Sequence, residues 1–366
     1  MSKPYILYGW HLSFYAGKVR CYLRYKRIPF VDQEVDFYTL TRRIKKRTGA
    51  AVMPVVVTPD GEWLQDSSSI IDQFEQRFPE PAVVPQWPVQ RFASVLLETW
   101  GDEWWIPIAM HTRWSYPENY ALFERDAGSA LLPHFPRFLQ KRAVGQVAKL
   151  LRSYLPQVGI VPEQFGMMEA WTRAMLDALD THFAQHRFLL GDRPTIGDFG
   201  LVGTMYGHLG RDPWPKRELV GPRPHLRAWI DRMAEPRGDG GALLAADAIP
   251  VTLDPVFRSI VHEYLPMVEA ILVKTVALAK DTPRGQALPR GAGEIGYPMG
   301  DGQFHRGGMP FTMWKMQRLL DVFRAMSEDG QKSVRAWLQS IGGERMLDMD
   351  IPRLKRMTLQ VALEDT

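Results

Sequence analysis

Two short stretches of this sequence carry residue types that can hold a small peptide. The first is Leu64-Gln65-Asp66-Ser67-Ser68-Ser69-Ile70-Ile71, which sets an acid and a hydroxyl at the junction between a strand and a helix. An acid there suits a ligand's ammonium group. A hydroxyl beside the free N–H groups of a helix start suits a carboxylate. The second is Met53-Pro54, just ahead of the strand-like run 55–58. A proline at a strand edge leaves neighbouring backbone groups free to pair with a short extended chain. Ser13, near the start of the chain, adds a further hydroxyl at a helix start. Helix capping needs the same residue types, and that reading stays open for Ser13, Asp66 and Ser67.

The elements that must position these residues are legible in turn. A strand at 5–8, a loop at 9–14, a helix at 15–25 and a strand at 29–35 are followed by a short basic helix or irregular segment at 39–47. A hairpin joins 55–58 to 62–64 across Pro59-Asp60-Gly61, and a helix at 67–78 is stopped by Pro79 and Pro81. The order β-α-β-α-β-β-α suits one small α/β domain. After a proline-rich linker at 79–88 the pattern turns helical, with runs at 91–106, 138–155, 164–186 and 224–233. Thr195 and Asp198 form a capping box that opens another helix. Later come a helix at 254–280 kinked at Pro266, a Gly- and Pro-rich loop at 281–310, and helices at 311–326 and 331–341. Gly291-Ala292-Gly293-Glu294-Ile295-Gly296 matches GxGxxG, but no strand precedes it and Tyr297-Pro298 follows, so it is read as a false dinucleotide motif.

The bulk numbers bound the class. A chain of 366 residues with 45% hydrophobic and 23% charged residues is expected to fold, as two or three domains. A net charge of +4 is too weak to argue for a nucleic-acid partner, and none is expected. The single cysteine, Cys21, excludes an intrachain disulfide and a CxxC pair, and it fits a reducing, cytoplasmic setting. The most apolar run, 267–279, is interrupted by Glu269 and Lys274, so no membrane span of ~20 residues is expected. The nine histidines show no HExxH spacing, and no metal is expected.

Taken together and in order, four motifs resemble the glutathione transferase superfamily, in particular serine-type, bacterial-like members. They are Tyr8-Gly9-Trp10-His11-Leu12-Ser13-Phe14-Tyr15-Ala16-Gly17-Lys18-Val19-Arg20; Met53-Pro54-Val55-Val56; Asp66-Ser67 with the helix that follows to Pro79; and the stretch 188–200 with Pro224-His225-Leu226-Arg227-Ala228-Trp229. The resemblance covers 4–236. It implies a thioredoxin-like α/β N-terminal domain at 1–80 and an all-α transferase domain at 89–238. Residues 239–366 are left as an added helical extension. It also implies glutathione as co-substrate, a cis Met53–Pro54 bond and a cytoplasmic homodimer with a detoxification role, unless the extension covers the usual interface. The chain departs from the family's pattern at Phe14, where a proline is usual, at Asp66, where a glutamate is usual, and at the bulky Trp10 and His11.

The same resemblance assigns roles. Ser13 would be the catalytic residue, donating to the glutathione sulfur. A free thiol titrates near ~8.5, and lowering it by one unit takes about 1.4 kcal/mol, within reach of one charge-assisted hydrogen bond. Tyr15 is the other hydroxyl in reach. Met53 would pair through its backbone with the cysteinyl part. Asp66 and Ser67 would hold the γ-glutamyl end. Lys45 or Lys46 would meet the glycyl carboxylate, unless both belong to a solvated basic face. Trp10, His11, Trp105, Arg113 and Trp114 would border the substrate pocket, with Arg113 holding an anion; core packing is the other reading of this cluster. The extension is expected to pack on the helical domain, its loop 281–310 bringing Arg290, His305 and Arg306 near substrate. The function implied is attack of the glutathione thiolate on a small hydrophobic or aromatic electrophile. The rival is a non-catalytic binding or protein-interaction module of the same fold.

Overall fold

The central strand of the α/β part is β1 (Tyr5–Tyr8), which pairs parallel with β2 (Phe30–Gln33) and antiparallel with β3 (Val55–Val57). A parallel neighbour requires a crossover, and α1 (Phe14–Tyr25) supplies it. A π-helical turn (Thr39–Ile44) runs into α2 (Lys45–Thr48), which Gly49 ends at φ +84°. The strand β4 (Trp63–Gln65) closes a hairpin with β3, giving the order β2-β1-β3-β4, and α3 (Ser67–Arg77) follows. This computed structural model describes residues 3–236 and 241–364; the domain boundary expected at 238 lies outside the described residues.

The helical part runs α4 (Pro88–Glu103), α5 (Ile106–Trp114), α6 (Pro117–Leu131), α7 (Arg137–Ser153), α8 (Pro162–Phe183), α9 (Ile196–Thr204), α10 (Pro213–Pro215) and α11 (Pro224–Ala234). The helix expected at 91–106 is thus α4 alone, and α5 and α6 fill the stretch left unassigned after it. Proline opens most of these helices, where the missing N–H would have had no intrahelical partner. The helices α4 and α9 cross at glycines: a Cβ on Gly200 would lie 2.6 Å from the Glu98 Cα. The Thr195–Asp198 capping box is present, and Trp229 Nε1 also donates to the buried Asp198 carboxylate at 3.1 Å.

Beyond residue 250 lie α12 (Asp254–Ser259), a π-helical turn (Ile260–Tyr264) just ahead of Pro266, and α13 (Leu265–Asp281). The stretch 281–310, expected to be a structureless loop, instead contains a hairpin of β5 (Glu294–Met299) and β6 (Gly302–Gly307). Ile295, Tyr297, Met299, Phe304 and Arg306 alternate inward along it. The turn is Gly300-Asp301, with Gly300 at φ +56°, so glycine stands where a tight hairpin needs a left-handed residue. After α14 (Phe311–Arg324) and α15 (Glu328–Ser340) a second hairpin joins β7 (Leu354–Arg356) to β8 (Val361–Leu363). The extension is therefore helical with two β-hairpins. It does not stand apart: one continuous apolar core runs from Leu7 through Trp100 and Trp104 to Met313 and Val361.

A buried polar cluster fastens the three parts. Lys18 of α1 donates to Glu98 (2.7 Å) and Asp102 (2.7 Å) of α4 and to Ser68 (3.1 Å) of α3. Lys315 of α14 donates to the same Asp102 (2.8 Å) and the same Ser68. Arg318, one turn further on, bridges Asp72 and Glu98. Lys18, Ser68, Glu98 and Asp102 are fully buried and Lys315 nearly so. Burial alone would push the Glu98 carboxyl up, but Lys18, Arg318 and Lys315 outweigh it and hold it far below its usual range.

Breaking a buried pair from one side costs about 3–5 kcal/mol. Lys315→Met is expected to lose stability on that scale at pH 7, read as a lower guanidinium chloride midpoint. The pH dependence has a fixed sign. A carboxyl held low in the fold contributes stability above the unfolded value of ~4.5 that is lost as pH falls. Stability of the unmodified chain should therefore drop between pH 5 and pH 3, and the drop should be shallower in Lys315→Met. Identical midpoints at pH 7 would show that the cluster does not fasten the extension.

Candidate functional site

A cavity of about 1460 Å³ opens where the α/β part, the α7–α8 junction and the extension meet. Drug-sized ligands fill pockets of roughly 300–1,000 Å³, so this space has room for a tripeptide and a second molecule. One wall carries Met53, Pro54, Gln65, Asp66 and Ser67. The opposite wall comes from Val158, Val161 and Gln164 and from the β5–β6 hairpin with its flanks, including Arg290, Glu294, His305 and Arg306. Tyr15, Glu103, Ile106 and Lys315 also line it, and Thr358 and Leu359 reach it from the turn of the last hairpin.

The first wall follows from its local sequence. The Met53–Pro54 bond is cis, and Met53 precedes the register with β1 and β4, which begins at Val55. Asp66 caps α3, its Oδ1 accepting the Ser69 N–H at 2.9 Å. Its backbone stands at φ +77° and ψ 126°, a conformation that costs a non-glycine residue on the order of 1–3 kcal/mol. Burial would push the Asp66 carboxyl up; Lys315, the Ser69 amide, Arg356 and Arg318 outweigh it and hold the group below the usual carboxylate range. Asp66 is thus an ionised, half-buried acid on the wall, and Ser67 stands beside it in the first turn of α3.

Met53, Pro54, Asp66 and Ser67 share this wall, as the sequence led us to expect. Lys45 does not join them: it is exposed on α2 and off the cavity. Gln65 and the C-terminal hairpin occupy that side, with Arg356 donating to Gln65 Oε1 and Thr358 to the Thr48 carbonyl. Ser13 is the N-cap of α1, half-buried, its Oγ accepting the Ala16 N–H at 3.3 Å, and it is not on the cavity wall. The residue of α1 that lines the cavity is Tyr15, whose hydroxyl donates to the Asp102 carbonyl at 3.0 Å. Burial, with Glu103, Asp102 and Asp66 nearby, pushes its phenol well above the usual range.

Of the residues expected at the substrate pocket, Trp10, His11, Trp105, Arg113 and Trp114, none lines the cavity. Trp10 is buried and donates to the Val35 carbonyl at 2.8 Å. His11 meets the Tyr206 hydroxyl at 3.3 Å. Trp105 packs edge-on against Trp100 and Trp171 in the core. Trp114 lies on Phe123 under Arg152. Arg113 is a structural clamp. It holds Asp212 with two bonds (2.9 and 3.0 Å) and donates to the Leu12 carbonyl (2.6 Å), which fixes the loop ahead of Ser13.

Sequence reading missed Lys315 and Glu103 as wall residues, and it took the segment carrying Arg306 for a loop. Two signals were available. Lys315 shares the spacing of the buried Thr312, Met316 and Leu319. Gly300-Asp301 with alternating apolar neighbours marks a hairpin.

Comparisons with known proteins agree with this architecture. The profile of the glutathione S-transferase N-terminal domain matches residues 7–82, and that of the glutathione S-transferase C-terminal domain matches residues 172–232. A curated relative, a stringent starvation protein A homolog from Histophilus somni, is 22% identical over 181 residues, covering 49% of this chain and 85% of its own. Among solved structures, β-etherase LigF from Sphingobium sp. strain SYK-6 is 19% identical, with TM-score 0.46, covering 64% of this chain and 97% of that one. A glutathione S-transferase from Methylobacterium radiotolerans JCM 2831, in complex with glutathione sulfonate, is 19% identical, with TM-score 0.39, covering 68% of this chain and 100% of that one. Both domain profiles are matched in order, so the α/β sheet unit at 7–82 and the helices at 172–232 are those of the glutathione S-transferase superfamily.

Proposed function

We propose that this chain is a glutathione transferase-like enzyme. It would hold glutathione on the Met53–Ser67 wall and turn the thiolate toward a small hydrophobic or aromatic electrophile seated against the extension. The observation that carries the reading is the pairing of the two walls in one cavity. An ionised acid, a helix N-terminus and a cis-proline edge face apolar surface from Ile106, Val161, Met309 and Phe311. The division of labour follows the chain: residues 1–80 bind glutathione, 89–238 give the helical wall, and 239–366 close the cavity. A cytoplasmic, homodimeric, detoxifying enzyme belongs to the same proposal. Asp66 would face the γ-glutamyl ammonium, and Ser67 with the start of α3 its carboxylate. Met53 would pair with the cysteinyl backbone.

Ser13 is the proposed thiolate stabiliser. A serine oxygen that accepts one N–H still carries a proton to donate, and the start of α1 adds a positive potential. The step would form a bond from sulfur to the electrophilic carbon, with the leaving group departing with its electron pair. The rival reading, a non-catalytic glutathione-binding module, is favoured by one observation: Ser13 serves as a helix cap and stands off the cavity wall.

Two measurements test this. Ultraviolet difference absorption should show bound glutathione as thiolate near neutral pH, and Ser13→Ala should raise the apparent thiol pKa by about one unit, or about 1.4 kcal/mol. Binding without thiolate in either protein would leave the non-catalytic module standing. Asp66→Asn, which keeps a residue tolerant of positive φ, should weaken glutathione binding by about tenfold in calorimetry; unchanged affinity would remove Asp66 from the site.

A further inference from the structure

Arg306 is 1% exposed, yet its Nε, Nη1 and Nη2 have no hydrogen-bond partner. It lines the cavity, together with Tyr15, Glu103 and Lys315. A buried guanidinium without hydrogen-bond partners is costly, because its desolvation is not repaid by hydrogen bonds. Elsewhere the fold meets that demand. Arg113 has both Asp212 oxygens and two backbone carbonyls, and Arg20 has the Asp32 carboxylate at 2.6 and 3.0 Å. Lys315, on the same cavity, is paired with Asp102 at 2.8 Å. Arg306 differs from all three in having every donor unused, at a residue that lines the cavity.

Its position is fixed. Gln164, in the first turn of α8, accepts the His305 N–H at 2.6 Å and donates to the His305 carbonyl at 2.9 Å. This two-bond clamp holds the residue just before Arg306, and Ile295 stands opposite Arg306 in the hairpin register. Glu103, a carboxyl on the same cavity, accepts instead from Thr312 Oγ1 at 2.7 Å. Burial pushes the Glu103 carboxyl up, against the pull of Lys315, Thr312 and Arg306.

We infer that the Arg306 guanidinium binds a carboxylate carried by the second ligand, so that this cavity takes apolar or aromatic acids in preference to neutral hydrophobes. The inference rests on the reading that the same cavity holds glutathione. The planar fork of arginine matches a carboxylate with two parallel N–H···O bonds. The apolar side chains of Ile106, Val161, Met309 and Phe311 then take the body of the acid.

The test is calorimetry on the full chain with glutathione, S-benzylglutathione, S-(4-carboxybenzyl)glutathione and benzoate alone, in the unmodified protein, Arg306→Gln and Arg306→Lys. The unmodified protein should bind the carboxybenzyl conjugate at least about tenfold more tightly than the benzyl one. Arg306→Gln should erase that difference and leave glutathione and the benzyl conjugate unchanged. Arg306→Lys, which keeps the charge, should retain part of the preference and guards against a fold defect in the glutamine variant. Benzoate should bind the unmodified protein and not Arg306→Gln. If benzoate binds in this way and glutathione does not, the anion site stands and the glutathione reading falls. Equal affinity for the two conjugates with no benzoate binding would overturn the inference. So would an Arg306→Gln variant that weakens glutathione and both conjugates alike, since Arg306 would then serve glutathione itself.

Discussion

The shared grip of Lys18 and Lys315 on Asp102 and Ser68 is the constraint on which the rest of this structure depends. Charges this deep are tolerable only as a set: each cation removes the penalty of a carboxylate that apolar packing could not offset. The set has members on α1, α3, α4 and α14, so satisfying it fixes the relative placement of sheet, helical part and extension at one point. That point adjoins the Met53–Ser67 wall of the cavity. Ser68 is in the cluster while Ser67, its neighbour, lines the cavity, and the Lys315 charge is what chiefly keeps Asp66 ionised. The extension is therefore part of the electrostatics of the site.

The two walls of the cavity are built on different principles. The sheet-side wall has a strained Asp66 and a helix start, groups set by local sequence over a dozen residues. The extension-side wall is a hairpin whose position is borrowed from elsewhere, through the Gln164 clamp on β6. A rigid local wall suits a constant ligand. A wall carried by a separate hairpin can vary its residues without disturbing the first.

This contrast also explains what was legible in the sequence. The α/β part reads almost residue by residue, since period-two strands, proline stops and a Pro-Asp-Gly turn are local signals. Asp66, Ser67, Met53 and Pro54 stand out for the same reason, and they line one cavity. Trp105, Arg113 and Trp114 do not line the cavity, and they look the same in sequence whether a helix faces a cavity or the core. Burial was decided by what packs over α5, notably α8, and by the Asp212 partner, 99 residues from Arg113. The hairpin at 294–307 was hidden by its glycines and Pro298, which mask the alternation of Ile295, Tyr297 and Met299. A lysine at a core position announces that a buried partner exists, but nothing local says that the partner is Asp102.

The return of the last hairpin to the start of the chain has a consequence for how the molecule comes to exist. Lys315 meets Ser68 across 247 residues, and Thr358 meets Thr48 across 310. Contacts of such long range form late, because the intervening chain must be ordered before they repay its entropy. During synthesis the sheet and its acidic partners on α4 emerge first, with Glu98 and Asp102 still hydrated and the cavity open on one side. Only when residues 294–363 arrive does water leave these carboxylates and the second wall close. The pocket is thus assembled from segments far apart in the sequence, and its second wall closes only once residues 294–363 are in place.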